Sequence, residues 1–284
     1  MNPSLGISAE RFATPAAFLE AAGPHLQQAE VENALILGVA RDLSEKAPSA
    51  YADTYFGSAR EGDRILMCAF RSLPDKVGIT RAWDPAAIPI MAENVRAACP
   101  VVREVVGPEP TIEPFARALG DLMGRRPRES RKLRIHVLHA LRPVPNHAAG
   151  FLRLAREPDR DLITQWVEEF LVEVNETGDA NDIVRRRIPE EKFYIWEDRA
   201  PVSMAAATGK TPNGVRVNFV YTPADHRGRG YATACVAAMS QVLLKAGNKY
   251  CCLYTDLANP TSNKIYREIG YEPVCDVAAY AFEA

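Results

Sequence analysis

Several features that would indicate particular classes of protein are missing from this sequence. No apolar run approaches the roughly 20 residues that span a bilayer. The formal net charge of -2 gives no overall attraction to nucleic acid or to a membrane surface. The N-terminus has no basic segment followed by an apolar one, so we expect no signal peptide. We therefore expect a cytoplasmic protein without nucleic-acid or membrane partners.

Cysteine and histidine patterns that would indicate a metal site are also missing. The 6 cysteines form no CxxC pair, and most lie in apolar stretches, which favours buried reduced thiols over disulfides or zinc ligands. His136 and His139 are three apart in a predicted strand, so their side chains point to opposite faces of it. We expect no metal.

Phosphate-binding and nucleic-acid-binding motifs are incomplete. A Walker loop is absent, and "GRGYAT" has Thr233 where a dinucleotide fingerprint requires its third glycine. The basic runs at 125–134 and 185–189 lack interleaved aromatics. We interpret 125–134 as a solvated loop between a helix and a strand, and a salt-dependent nucleic-acid contact is the alternative.

The first half of the chain alternates predicted helices and strands. Apolar spacing predicts helical segments over 14–46 with a break near Gly23-Pro24, a helix over 88–98, and another over 111–124 with Thr111 as its N-cap. Predicted strands cover 63–70, 77–83, 101–106 and 132–141. This order is typical of an α/β domain.

The second half repeats a similar order after a proline-containing linker at 142–150. Predicted helices cover 161–177, 182–190, 231–246 and 260–270, and predicted strands cover 192–198, 201–208, 215–222 and 250–256, with one or two more at the C-terminus. Period-two alternation places Val215, Val217, Phe219 and Tyr221 on one face of a strand. We therefore predict two domains, 1–145 and 146–284.

A glycine-rich, charged segment separates the strand at 215–222 from the helix that follows it. In "DHRGRGYATACVAAM" (225–239), Gly228 and Gly230 allow close approach to the backbone, and Arg227 and Arg229 add positive charge. The free N–H groups and dipole of the helix N-terminus favour an anion there, and a diphosphate fits better than one carboxylate. Taken alone, an exposed helix cap explains the segment equally well.

Two stretches resemble the GCN5-related N-acetyltransferase (GNAT) family. They are "VNFVYTPADHRGRGYATACVAAM" and "LYTDLANPTSNKIYREIGYEPV". Arg227, Gly230 and Ala232 match the family signature RxxGx(G/A), and the resemblance covers about residues 150–284. It implies an α/β (α+β) protein of two GNAT-like domains, each a mixed, mostly antiparallel sheet flanked by helices. The first half lacks both motifs and looks like a degenerate copy.

The resemblance also implies where acetyl-CoA binds. The glycine loop would hold the pyrophosphate, and the strand at 215–222 would part from 250–256 to admit the pantetheine arm. The N–H of Val220 would polarise the thioester carbonyl. The implied cofactor-binding residues are Phe219, Val220, Tyr221, Arg227, Gly228, Arg229, Gly230, Tyr231, Ala232, Asn259, Asn263 and Tyr266.

Tyr266 is the candidate general acid, because a phenol can protonate a departing thiolate. Packing of its helix on the sheet is the alternative explanation. Asn259 and Asn263 would contact the cofactor or cap that helix.

The acceptor side of the site has no clear base. Many family members carry a glutamate on the strand where this chain has Arg216 and Asn218. The helix at 161–177 offers acceptor-site candidates, Glu169 and Glu173 as carboxylates and Trp166 and Phe170 as lining residues. A solvated acidic face and an ordinary core stripe are the alternatives.

These features together predict an N-acetyltransferase that moves an acetyl group from acetyl-CoA to a primary amine, a small molecule or a peptide, by direct transfer. A non-catalytic acyl-CoA-binding regulatory module is the alternative. The first half would shape the acceptor cleft or support a homodimer.

Overall fold

The structure, a computed structural model, describes residues 6–143 and 148–283. Within them, the strands are β1 (Ile7–Arg11), β2 (Tyr55–Glu61), β3 (Arg64–Leu73), β4 (Lys76–Ile79), β5 (Glu104–Pro108), β6 (Pro127–Leu138), β7 (Phe151–Leu154), β8 (Phe193–Asp198), β9 (Ala200–Thr208), β10 (Gly214–Tyr221), β11 (Tyr250–Asp256) and β12 (Glu272–Phe282). The helices are α1 (Pro15–Leu26), α2 (Ala34–Ser44), α3 (Ala87–Ala98), α4 (Ile112–Met123), α5 (Arg160–Glu173), α6 (Ala180–Arg187), α7 (Tyr231–Lys245) and α8 (Pro260–Ile269).

All the strands belong to one 12-stranded sheet in the order β1-β2-β3-β4-β5-β12-β6-β11-β10-β9-β8-β7. Neighbours are antiparallel except for two pairs, β4 with β5 and β10 with β11. Each half of the chain therefore contributes five outer strands that contain one parallel pair. The mixed, mostly antiparallel sheet confirms the fold class expected from the sequence.

The two halves exchange strands at the centre of the sheet. The strand β6 pairs with β11, where Leu138 lies opposite Cys251. The last strand, β12, pairs with β5, where Val277 lies opposite Pro108. Each half thus completes the sheet of the other half. The division at 145/146 and part of the proposed linker fall on residues outside the described ranges, and the division stays a prediction.

Both faces of the sheet are covered by helices. Along β2, Tyr55 packs under α3 and α4, whereas its neighbour Phe56 packs under α1 and α2, because successive side chains alternate between faces. The second half repeats this plan, with α7 and α8 on one face and α5 and α6 on the other. Apolar burial on both sides stabilises each half.

The break between the first two helices lies later than predicted. The helix α1 continues through Gly23 and Pro24, and the chain turns only over residues 27–33. Asn33 closes this turn by donating from its Nδ2 to the carbonyl oxygen of Leu26 at 3.0 Å. The prediction was wrong because Pro24 stands in the last turn of α1, where loss of its N–H does not stop the helix.

Thr111 also differs from its predicted role. Its hydroxyl makes no capping bond to α4 and instead accepts a hydrogen bond from the N–H of Ala82 at 3.0 Å.

Three strands, β1, β2 and β7, were not predicted from the sequence.

The basic run at 125–134 is not a loop, because residues 127–134 lie in strand β6. Several of its charges are paired, Arg131 with Glu176 and Arg134 with Asp276. Asp276 on the neighbouring strand β12 and Glu176 in the loop after α5 offset this charge in the centre of the sheet.

The cysteines agree with the expectation of reduced thiols. All six are free, and only Cys275 is partly exposed. In the described part of the chain, no group of three or more His, Cys, Asp or Glu side chains is arranged to hold a metal ion. None of the helices described here has the length and apolar character needed to cross a membrane.

Candidate functional site

The parallel strands β10 and β11 separate partway along their length. Their pairing covers Gly214 with Tyr250, Val215 with Cys251 and Arg216 with Cys252, and stops there. The strand β10 continues beside β9 to Tyr221, while β11 continues beside β6 to Asp256. A gap therefore opens between the carboxyl ends of the two strands, and the backbone of 217–221 borders it.

An irregularity in β10 lies at this gap. Phe219 has a positive φ of 49°, and the register with β9 shifts between Asn218 and Tyr221. The Oδ1 of Asn218 accepts a hydrogen bond from the N–H of Phe219 at 2.8 Å and supports this strained turn of the backbone. Such an extra residue is typical of a β-bulge next to a functional site.

The bulge reverses the side-chain alternation of the strand. Val215 and Val217 pack in the cluster under α7, whereas Phe219 and Tyr221 pack in the cluster under α5. The predicted placement of all four on one face was therefore wrong, because period two holds only while no residue is inserted. Val220 instead packs against the α7 cluster.

The loop after β10 leads directly into the N-terminus of α7. Gly228 and Gly230 have φ values of 74° and 80°, in the left-handed region that favours glycine. Among the residues that the structure describes, none accepts a hydrogen bond from the backbone N–H groups of 228–232. The loop is exposed, so these donors and the helix dipole face an open anion site.

Arg227 is less available to a phosphate than the sequence indicated. Its Nε donates to the carbonyl oxygen of Thr222 at 2.8 Å, and its Nη2 is paired with the carboxylate of Glu173 on α5. Its guanidinium also lies 5.7 Å from the ring centroid of Tyr221. Arg227 therefore fastens the loop to α5, and Arg229 remains exposed in the loop.

Tyr231, the first residue of α7, is held at the edge of the loop. Its hydroxyl donates to Asp198 at 2.7 Å, in the turn between β8 and β9. This bond fixes the start of the helix relative to the sheet.

Tyr266 lies on α8 inside the cluster that joins α7 and α8 to the sheet. It is 7% exposed, and its ring meets that of Tyr271 edge-on with centroids 5.7 Å apart. Burial raises the pKa of its phenol well above the ordinary value, so the hydroxyl keeps its proton at neutral pH.

The two asparagines near Tyr266 hold its helix in place. Asn259 caps α8, where its Oδ1 accepts from the N–H of Ser262 at 3.0 Å. The Nδ2 of Asn263 donates to the carbonyl oxygen of Asp256 at 2.8 Å and so ties α8 to the end of β11. Both side chains therefore have structural contacts, and their contact with a cofactor stays a prediction.

The residues predicted on the 161–177 helix lie on α5, which contacts the bulged end of β10. Trp166 is 4% exposed and belongs to the core beneath the helix, and Phe170 packs on Phe219 with ring centroids 5.3 Å apart. Glu169 accepts a hydrogen bond from the hydroxyl of Tyr221 at 2.7 Å. Burial, followed by this bond, raises the pKa of Tyr221 to about 12. Glu169 and Glu173 thus join α5 to the strand and the loop.

Two arginines beside the gap were not among the predicted site residues. Arg216 lies on β10 where pairing with β11 ends, and Arg187 of α6 has its guanidinium carbon 5.4 Å from the Phe219 ring centroid. The sequence carries one signal for Arg216, because a charged residue between Val215 and Val217 requires a partner if that face is covered.

The equivalent region of the first half has no glycine loop, although β4 and β5 also pair over only three residues. Strands β4 and β5 pair up to Gly78 and Val106, and Ile79 then packs on Gly107 so closely that a Cβ there would lie 2.3 Å from its Cγ1. The segment from β4 to α3, "TRAWDPAA", contains no glycine. The glycine loop is therefore confined to the second half.

Comparisons with known proteins agree with this division. Residues 197–279 match the family described as FR47-like protein. No curated protein matches the chain in sequence. Among solved structures, a Drosophila protein is 12% identical with a TM-score of 0.67, covering 97% of this chain and 99% of that one. An acetyltransferase of the GNAT family from Colwellia psychrerythraea is 7% identical with a TM-score of 0.60, covering 97% and 100%. A tandem GNAT protein from the clavulanic acid biosynthesis pathway is 13% identical with a TM-score of 0.59, covering 98% of both chains.

Proposed function

We propose that this chain, a tandem protein of the GNAT fold whose first copy has no glycine loop, is an N-acetyltransferase that uses acetyl-CoA and a primary amine. One observation carries the proposal. In the second copy, β10 and β11 part beside a glycine loop whose N–H groups have no acceptor among the described residues, and the first copy has no such loop. A cytoplasmic location, a small-molecule or peptide acceptor and a possible homodimer belong to the same proposal.

The donor set of the site fits acetyl-CoA, which would supply an activated acyl thioester. The N–H groups of 228–232 would hold the diphosphate, with the left-handed Gly228 and Gly230 leaving the backbone open to it. The unpaired edge of β10 from Phe219 to Tyr221 would bond to the amide groups of the pantetheine arm, as a neighbouring strand would.

Two groups of this chain would act on the acyl transfer itself. The N–H of Val220 borders the gap and would donate to the thioester carbonyl oxygen, where negative charge develops as the amine attacks. The Tyr266 phenol, kept protonated by burial, would give its proton to the departing thiolate sulfur.

The amine must lose a proton before it attacks, and two carboxylates on α5 are candidates for the group that takes up this proton. Glu173 is engaged by Arg227, whereas Glu169 accepts only neutral donors, the hydroxyl of Tyr221 and the side-chain amide of Gln165. We therefore assign Glu169 as the group that takes up the amine proton, directly or through water.

Thiol release tests the function. The full chain is incubated with acetyl-CoA and a panel of amines, free thiol is followed with a chromogenic disulfide, and acetyl-CoA affinity is measured by calorimetry. We expect saturable binding and turnover with at least one amine class. Tight binding without turnover across the panel would favour the regulatory binding module. Absence of binding would reject both functions.

A further inference from the structure

The face of the sheet opposite α7 carries a row of polar residues beside the gap. Arg216 lies opposite Thr208 on β9 and opposite Cys252 on β11. Residues in register on adjacent strands point to the same face, so these three side chains stand next to one another. Asn218 follows two residues later on the same face, at the bulge.

Arg187 reaches the same region from α6. Its guanidinium lies over the ring of Phe219, the bulged residue at the gap. Burial lowers the pKa of Arg187, and the nearby charges of Arg186 and Arg216 lower it further. Both arginine side chains are half-buried on this face of the sheet, and partly buried positive charge is unfavourable unless something compensates for it.

The protein itself supplies no direct partner to these groups. The Nη1 of Arg187, the Nε of Arg216 and the hydroxyl of Thr208 are buried without a hydrogen-bond partner. Across residues 6–143 and 148–283, neither arginine has a carboxylate within 4.0 Å, in contrast to Arg153, which pairs with both Asp159 and Glu197. Unpaired buried donors are rare and costly in folded proteins.

Two carboxyls, Asp42 and Glu190, act on Arg187 without forming an ion pair with it among the described residues. Asp42 on α2 affects the pKa of Arg187, and burial is the first cause that raises its own pKa. The helix α2 belongs to the first half and reaches this face where Gly38 packs on Gly209. The first half therefore contributes one wall of this polar region.

We infer that Arg187 and Arg216 bind an anionic group of the acceptor, so that the substrate is an amine that carries its own carboxylate or phosphate. This inference rests on the proposed acetyltransferase function. Guanidinium groups bind both anions through two parallel hydrogen bonds, and the Thr208 hydroxyl adds a third donor.

The spacing along β10 suits this arrangement. Four residues separate Arg216 from Val220, which is roughly 13 Å at a rise of about 3.3 Å per residue. The Arg216 guanidinium lies against Gly209, whereas the Arg187 guanidinium lies over the ring of Phe219, the neighbour of Val220, so Arg187 is the nearer of the two to the gap. An acceptor held by its anion would thus present its amine at the gap.

Matched pairs of amines test the substrate class. Amino acids are compared with their carboxamides, and phosphoethanolamine with ethanolamine, by thiol release at saturating acetyl-CoA. We expect kcat/KM at least about tenfold higher for the anionic member of one pair, and the pair that responds separates carboxylate from phosphate. Equal or faster turnover of the neutral members overturns the inference and leaves the acetyltransferase function standing.

A binding measurement without acetyl-CoA separates the two proposals. The Nε–H resonances of Arg187 and Arg216 are assigned by NMR from their glutamine variants and followed during titration with the same amines. We expect the Arg216 resonance to shift with an anionic amine and not with its neutral analogue. No shift with any anionic amine overturns the inference even if acetyl-CoA binds.

Variants test the residues against a control on the same helix. Arg187→Gln and Arg216→Gln should raise KM for the anionic acceptor at least about tenfold, without changing KM for acetyl-CoA or for a neutral amine. Their melting temperatures should not fall, because each change removes a buried unpaired charge. The control is Arg185→Gln, because the Arg185 side chain is 67% exposed and paired with Asp182. It should change neither the KM for the anionic acceptor nor the melting temperature. A lower melting temperature, or an equal loss with neutral amines, marks a structural role and overturns the inference.

Discussion

Glu173 of α5 and Arg227 of the glycine loop form an ion pair that joins two elements at the carboxyl end of β10. Both side chains are about half exposed, 46% for Glu173 and 47% for Arg227. The pair therefore adds little to stability, and its main effect is on charge. Glu173 offsets part of the positive potential that the loop would otherwise present to a diphosphate.

Removal of Glu173 should tighten acetyl-CoA binding. In Glu173→Gln, no carboxylate offsets the positive charge of Arg227. We therefore expect the dissociation constant for acetyl-CoA to fall about two- to fivefold at low salt, and we expect this difference to shrink at high salt. Calorimetry at two ionic strengths measures this. Glu168→Gln, an exposed carboxylate on the same helix, serves as the control. Weaker binding of Glu173→Gln at both salt concentrations would contradict the electrostatic account.

Gly230→Asp should abolish acetyl-CoA binding while the protein stays folded. Gly230 has a φ of 80°, and a carboxylate there would repel the diphosphate as well as strain the backbone. Gly124 has a similar φ of 67° at the end of α4 and open space around it, so Gly124→Asp imposes comparable strain far from the site. We expect only Gly230→Asp to lose binding, as read by calorimetry. Unchanged affinity would refute the assignment of the phosphate site.

Tyr266→Phe should lower kcat by about 10²-fold, the lower end of what a general acid contributes, and leave acetyl-CoA affinity unchanged. Tyr271→Phe is the matched control, because Tyr271 touches the same ring but bonds to Ser240 at 2.9 Å. It should lose about 1 kcal/mol of stability and keep its turnover. For both variants, discontinuous activity assays measure kcat and urea denaturation measures the free energy of unfolding. Full activity in Tyr266→Phe would remove the acid role.

The pH dependence follows from the same phenol. Its pKa lies above the ordinary value of 10.0, so the folded protein keeps a proton that the unfolded chain loses. Its contribution to stability is complete below pH 10 and declines above it. We therefore expect kcat to show no loss from this group between about pH 7 and 10. A pH–rate profile checks this, and a basic limb near pH 8 that is absent in Tyr266→Phe would contradict it.

Glu176 should stabilise the contact between the two halves. It accepts from Lys76 of β4 at 2.6 Å and also pairs with Arg131 of β6. We expect Glu176→Gln to cost about 1–3 kcal/mol, since it leaves two half-buried cations with one fewer partner. Urea denaturation measures the change, and Glu157→Gln, in a more exposed pair with Arg160, should have no measurable effect.

The stability that Glu176→Gln loses should become smaller as the pH falls. Burial acts to raise the pKa of Glu176, but the bonds from Lys76 and Arg131 outweigh it and the pKa is lowered. Its stabilisation is present above the ordinary value of 4.5 and is lost as the pH falls through the lower folded value. The difference in stability between wild type and Glu176→Gln should therefore shrink as the pH falls below the ordinary value of 4.5. A difference that persists at lower pH would contradict the charge-based explanation.

Much of the second half could be predicted because its signals are local. The RxxGx(G/A) segment and the Asn259 cap stand within a few residues of the elements they define, and both lie where the sequence places them. The bulge at Phe219 could not be predicted, because no residue type in "VRVNFVYT" requires an insertion. One added residue then reversed the faces of Phe219 and Tyr221.

The long-range ion pairs could not be predicted from the sequence for a different reason. Residues 127–134 resemble a loop in sequence because their charged side chains would be solvated in a loop as readily as they pair with Glu176 or Asp276. Their partners lie more than forty residues away in the chain, so no local pattern encodes them. Arg187 likewise lies in an ordinary basic run, and only the packing of α6 separates it from its exposed neighbours.

The exchange of β6 and β12 also sets an order of events for the growing chain. A first half that leaves the ribosome has β5 with one open edge, and the strand that covers it, Glu272–Phe282, is made last. The first half therefore cannot complete its sheet until β12 has been synthesised, unlike domains that fold one after another. The same interlock means that a gene shortened to the second half would lose β6, the neighbour of β11. The second copy is thus built partly from the first, and neither can be described as an independent sheet.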